Sequence, residues 1–207
     1  MKFENKWNGR RLGSFNVEPY LKSIYGENIT VKKVSSFKLY DVKPLLQNDY
    51  GDDFDCSITS ITTCILKYAP FLKDTDVYNT VAEYGKSKSF YNGKLYGTIA
   101  FSIKNIFDQS LKKLKINLKT KSAYIKGVGF NLNSIKTILN NQKPIILTMH
   151  NDGRNYYKMH SVTIIGYDIY SLNNKKTVPF LLVYDNWTKT SNYIDYTRLS
   201  SLSCINY

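Results

Sequence analysis

Histidine is nearly absent from this chain: His150 and His160 are the two among 207 residues. Cysteine is scarce as well, with Cys56, Cys64 and Cys204 forming no CxxC pair and leaving at least one thiol outside any disulfide. Two histidines and three scattered cysteines are too few for a typical zinc cluster, so no structural metal, cofactor or disulfide scaffold is expected. No apolar run approaches the roughly 20 residues of a membrane span. The start, Met1 to Trp7, lacks the apolar core of a signal peptide. As it stands the chain reads as soluble and cytoplasmic, or secreted if a leader has been removed. Acidic residues are also few, 16 Asp and Glu against 29 Lys and Arg, for a formal net charge of +13. Such a charge suits an anionic surface, an anionic polymer or an acidic substrate, but it names no partner. Abundant Lys, Asn, Ile and Tyr are equally the mark of coding bias, and nucleic acid is not expected as a partner.

What is present suffices for a core: 43% hydrophobic and 14% aromatic residues over a length that suits one domain, residues 1–207. Residues 1–40 mix short apolar groups with glycine and polar residues, and read as an irregular N-terminal extension with one or two short strands. Pro44 then breaks the chain, and Asp49-Tyr50-Gly51-Asp52-Asp53 marks an acidic loop. Its spacing is not that of an EF-hand, so calcium is not expected there. A helix follows from Cys56, with Ile58, Ile61, Ile65 and Leu66 on one stripe and Pro70 as its stop. Asp74 or Asp76 can cap a second helix ending at Gly85, and Thr98 a third that carries Ile103, Ile106, Phe107 and Leu111. Tyr91 to Lys94 reads as a turn, and Leu132 to Asn140 as a further short helix. After Lys143-Pro144 the texture turns to strands: Ile145 to Met149, Ser161 to Tyr167, and Phe180 to Asp185. Helices first and an antiparallel sheet second is an α+β order.

Cys56 falls where loop becomes helix, with Asp55 placed to cap it. The dipole end and unpaired N–H groups of a first turn favour a thiolate. The neighbouring carboxylates oppose it. A lone cysteine in a helix is ordinarily a small packed residue, so the case for a nucleophile rests on a base, an orienter and oxyanion donors elsewhere. His150 ends one strand and His160 begins the next. His160 has the stronger context, because His160-Ser161-Val162-Thr163-Ile164-Ile165-Gly166-Tyr167-Asp168 is followed by a strand ending in Tyr184-Asp185-Asn186-Trp187. Strand alternation predicts that Asp185 and Asn186 face opposite sides, so that one alone meets the imidazole.

Four fragments in order resemble the papain-like fold in its C39-like form, related to bacterial peptidase domains that trim bacteriocin leaders. They are Gln47 with Cys56-Ser57-Ile58-Thr59-Ser60, then Gln142-Lys143-Pro144-Ile145-Ile146, then His160 to Asp168, then Asp185-Asn186, spanning about residues 40 to 190. The resemblance implies a nucleophile at a helix N-terminus packed on a C-terminal antiparallel sheet. It also implies Cys56 as nucleophile, His160 as base and later acid, Asp185 as its orienter, and Gln47 with the Cys56 N–H as oxyanion hole. Asp55 stands where the family often has Gly, Ser57-Ile58 where it often has Gly-Pro, and Asn186 in place of Pro. The expected activity is that of a cysteine peptidase or amidase acting on a peptide or amide through a thioester. Two further readings are an acyltransferase using the same site and a non-catalytic basic binding module on the same fold.

Overall fold

A computed structural model describes residues 16–51, 55–87, 98, 100–124, 131–149, 159–200 and 203–207. In chain order they form helix α1 (Val17–Tyr25), strand β1 (Val31–Lys38), helices α2 (Cys56–Tyr68), α3 (Asp74–Ser87) and α4 (Ile103–Lys113), strand β2 (Ser122–Tyr124) and helix α5 (Leu132–Asn140). Strands β3 (Ile145–Met149), β4 (His160–Leu172), β5 (Lys176–Tyr184), β6 (Asn192–Asp195) and β7 (Cys204–Asn206) complete a seven-stranded antiparallel sheet. The order is β2-β7-β3-β4-β5-β6, with β1 also on β4. This is the expected α+β arrangement, consistent with a papain-like fold.

β4 organises the sheet because its 13 residues are long enough to serve three partners. β3 pairs with His160 to Ile164, β1 with Gly166 to Leu172, and β5 runs along the opposite edge. Gly166 lies where β1 comes closest: a Cβ there would stand 2.2 Å from the Phe37 carbonyl oxygen. Any side chain would push β1 off the sheet. Beyond that point the buried carboxylate of Asp168 ties three strands together, with Lys33 and Ser36 of β1 and Tyr193 of β6 each 2.6 Å away. Burial raises its pKa, but those partners outweigh burial and hold it below the usual carboxylate range.

Both faces of the sheet are covered, which is why β3 to β5 read as nearly unbroken apolar runs. Ile145 and Leu147 pack with Val162, Ile164 and α5 on one face, whereas Ile146 joins Ile58, Ile61 and Ile65 of α2 on the other. α2 is buried from Ser57 to Leu66. The Thr59 and Thr62 hydroxyls survive there by donating back to the Asp55 and Ile58 carbonyls, each at 2.9 Å.

Residues 16–38 are more ordered than the composition of that stretch predicts, and 1–15 lie outside the described residues. α1 shows only Val17, Tyr20 and Leu21 as buried positions in nine residues, too short a stretch for helical periodicity to stand out. Its stability comes from packing on Leu172, Val178 and Phe180. α3 runs past Gly85 to Ser87, with Gly85 lying against Ile58. A 3-10 turn, Ala100–Ser102, precedes α4, so Ser102 rather than Thr98 is at its N-terminus. β6 and β7, four and three residues long, were beyond reach of any alternation pattern. The turn expected at 91–94, Asp52, Asp53 and His150 lie outside the described residues. Among the described residues no helix is long and apolar enough to cross a membrane.

Candidate active site

Cys56 is the first residue of α2 and is half-buried. Asp55 precedes it, but contrary to expectation its carboxylate makes no cap hydrogen bond to the helix. It turns instead to α3, accepting from the Tyr78 hydroxyl and, at 2.8 Å, from Lys86 Nζ. Lys86 gives this fully buried carboxylate a counter-charge, which the neutral helix N–H groups could not. The consequence favours Cys56, because the acidic residue beside it is neutralised rather than left to repel a thiolate. Gly51 is part of this arrangement: a Cβ on it would come within 1.9 Å of both the Asp55 carboxylate and the Tyr78 oxygen.

The loop before Asp55 closes into a short 3-10 helix, Gln47–Asp49, with Gln47 buried. The Gln47 carbonyl accepts from the Gly51 N–H at 2.9 Å, and its own N–H donates to the Asn186 carbonyl at 2.9 Å. That second bond brings Gln47 to the turn following β5.

His160, buried at the start of β4, places Nε2 2.8 Å from the main-chain oxygen of Asp185. The indole of Trp187 stacks on the imidazole, ring centres 4.2 Å apart and 27° from parallel. Such a face excludes water from the histidine. The groups that act on the Cys56 thiol are this imidazole, the Ser161 N–H and the Ser57 hydroxyl. Burial pushes the thiol's pKa up, but the His160 charge, the His160 hydrogen bond and the two serine donors outweigh it and hold Cys56 below the ordinary thiol range. Cys64, two turns down the same helix, is fully buried and pushed far up. Alkylation at neutral pH should therefore label Cys56 well before Cys64, as peptide mapping by mass spectrometry would show; prior labelling of Cys64 would contradict this ordering.

Strand alternation does not govern Asp185 and Asn186, because β5 stops at Tyr184 and Asn186 takes φ +64°. Both residues are buried. Oδ1 of Asp185 accepts the Trp187 and Thr188 N–H groups at 3.0 Å and the Thr188 hydroxyl at 3.1 Å, while Oδ2 accepts from Asn192 at 3.0 Å. This carboxylate knots the turn that presents its own carbonyl to His160. The Asn186 amide lies 2.9 Å from the Cys56 carbonyl, the Ser60 hydroxyl and the Ser161 carbonyl alike.

Gln47, Cys56, His160 and Asp185 thus converge, and Asn186 is the residue that joins them. Sequence reasoning missed Asn186 as a clamp, Trp187 as a cover, and Ser57 and Ser161 as donors. An aspartate followed by a short polar turn is an Asx-turn signal, so the engagement of the Asp185 carboxylate with its own turn could have been anticipated. Among the described residues no group of three or more His, Cys, Asp or Glu is arranged to hold a metal. The family model described as Peptidase_C39 like family matches residues 39–204, a span that includes all of these site residues. No curated protein matches the chain.

Proposed function

This chain belongs to the Peptidase_C39 like family, and we propose that it is a cysteine hydrolase that cleaves a peptide or amide bond with Cys56 as its nucleophile. Family membership supports a cysteine-peptidase type of chemistry; the residue roles are our reading. The observation that carries it is an imidazole whose Nε2 is tied to a carbonyl and which is the strongest influence lowering the pKa of the thiol at the head of α2. A carbonyl oxygen can only accept, so Nε2 must hold a proton, and in the neutral ring Nδ1 is then the basic nitrogen. That tautomer is the one able to take the thiol proton.

Cys56 gives its proton to His160 and the thiolate attacks the substrate carbonyl. The oxyanion forms near the N-terminus of α2, where the Cys56 N–H and the Gln47 amide serve as donors. His160 returns the proton to the leaving amine, and water, deprotonated by the same nitrogen, hydrolyses the thioester. Asp185 orients the imidazole through its main-chain oxygen, and its carboxylate acts one step back by ordering the turn.

Digestion of a peptide library followed by mass spectrometry tests the assignment, with Cys56→Ala as control. Cleavage that disappears in Cys56→Ala supports it, and cleavage that persists removes Cys56 from the mechanism. Turnover seen only with an added amine acceptor would reassign the protein as an acyltransferase. Gln47→Ala should lower kcat by roughly a hundredfold with little change in KM, because its donor meets the oxygen chiefly when that oxygen is charged. A change in KM alone would make Gln47 a substrate contact instead.

A further inference from the structure

Three hydroxyls lie in a row behind Cys56, between α2 and the sheet. Ser57 directly follows Cys56 in the first turn of α2, and its hydroxyl is among the groups that lower the thiol's pKa. Its Oγ is 2.7 Å from Ser161 Oγ, which is 2.9 Å from Thr148 Oγ1. The register accounts for the row: Thr148 of β3 and Ser161 of β4 are directly opposed, so their side chains share a face. Ile146, two residues before Thr148, packs with α2, so this is the face that α2 covers. Ser57 and Ser161 are buried and Thr148 is half-buried.

A hydroxyl has one proton to donate, so a row of three has a direction. A thiolate only accepts; Ser57 must therefore donate to it, Ser161 to Ser57, and Thr148 to Ser161. We propose that Thr148, Ser161 and Ser57 are positioning residues forming a one-way donor chain that stabilises the Cys56 thiolate over the thiol. Each bond polarises the next, and with little water around them the effect is not screened away. A neutral thiol, a weak acceptor, gains little from the same row. No proton travels along it: the proton leaving Cys56 goes to His160, and the hydroxyls only align.

The charged and titratable groups around Cys56 among the described residues are His160 from β4, Asp55 with its Lys86 and Tyr78 from α3, and Asp185 from the turn after β5. None belongs to the hydroxyl row, so substitutions along the row leave them in place. The inference rests on Cys56 being the nucleophile.

The test is the pH profile of iodoacetamide alkylation at Cys56 in the full chain, located by mass spectrometry. Below the wild-type midpoint, Ser57→Ala should slow alkylation about tenfold, Ser161→Ala less, and Thr148→Val roughly two- to threefold, with the high-pH plateau unchanged in each. Thr148→Ser should restore the wild-type profile. Thr163→Val, on the same strand but outside the hydroxyl row, should leave the profile where it is. A shift in Ser57→Ala alone would mean that a single hydroxyl serves the thiolate, and the donor chain would be overturned. Failure of Thr148→Ser to rescue would make the Thr148→Val effect one of packing, and would overturn the donor chain equally. Wild-type Cys56 alkylating at pH 6 no faster than an ordinary exposed thiol would instead overturn the nucleophile assignment, so the two failures are distinguishable.

Discussion

His160→Ala should lower kcat by roughly 10³-fold and move Cys56 alkylation to higher pH. General acid–base catalysis by one positioned side chain contributes on the order of 10² to 10⁴. His160 would also supply the charge that keeps the thiol ionised. The sign follows from the opposing influences on Cys56: burial raises its pKa, and the His160 charge and hydrogen bond are the largest of the influences that lower it. With them gone, the Ser161 N–H and Ser57 hydroxyl are left against burial, so ionisation should retreat toward or above the ordinary value of about 8.5. Between about pH 6 and 8 the variant should then be slow both to alkylate and to turn over, and raising the pH should recover alkylation but not turnover. An alkylation profile unchanged in His160→Ala would mean that the helix N-terminus, not the histidine, makes the thiolate. His160 is buried against Trp187, so a thermal melt should accompany the kinetics to show that the variant is folded.

Asn186→Ala should be the most damaging substitution to stability at the site, costing about 2 to 4 kcal/mol. The amide bridges three segments far apart in the chain, and its removal leaves the Cys56 and Ser161 carbonyls without this donor. Alanine is also strained at φ +64°, adding on the order of 1 kcal/mol, which glycine would avoid. The midpoint of thermal unfolding should fall by roughly 5 to 15 °C, with Asn186→Gly intermediate. Activity should fall with it, because the Asn186 amide holds the first turn of α2. Had strand alternation continued through Asn186, with Asp185 toward His160, Asn186 would have faced away as a bystander. Wild-type stability in Asn186→Ala would restore that reading and remove the clamp.

These two residues also mark where sequence reasoning reaches and where it stops. A cysteine at a loop-to-helix boundary, a helix halted by Pro70, the Leu132–Asn140 helix and the apolar runs of the sheet are legible because each depends on neighbours within a turn or two of chain. Order along the chain, helices before antiparallel strands, carried the fold class in the same way. The partners of buried polar groups are another matter. Asp55 looked like a cap because the nearest donors in sequence belong to its own helix, but folding brings up Lys86, 31 residues away, and the carboxylate turns to that cation instead. Ser57 meets Ser161 across 104 residues, and Asn186 meets Cys56 across 130. Which carbonyl of the turn after β5 faces His160 depends on a residue in left-handed conformation that ends the strand's alternation. The sequence by itself determined the longer elements from α2 onward and the thiol at the head of α2, because helix starts, stops and apolar runs are written locally. Only the tertiary structure decided which donor each buried carboxylate, amide and hydroxyl takes, because a polar group shut away from water bonds to whatever the packing sets within about 3 Å of it.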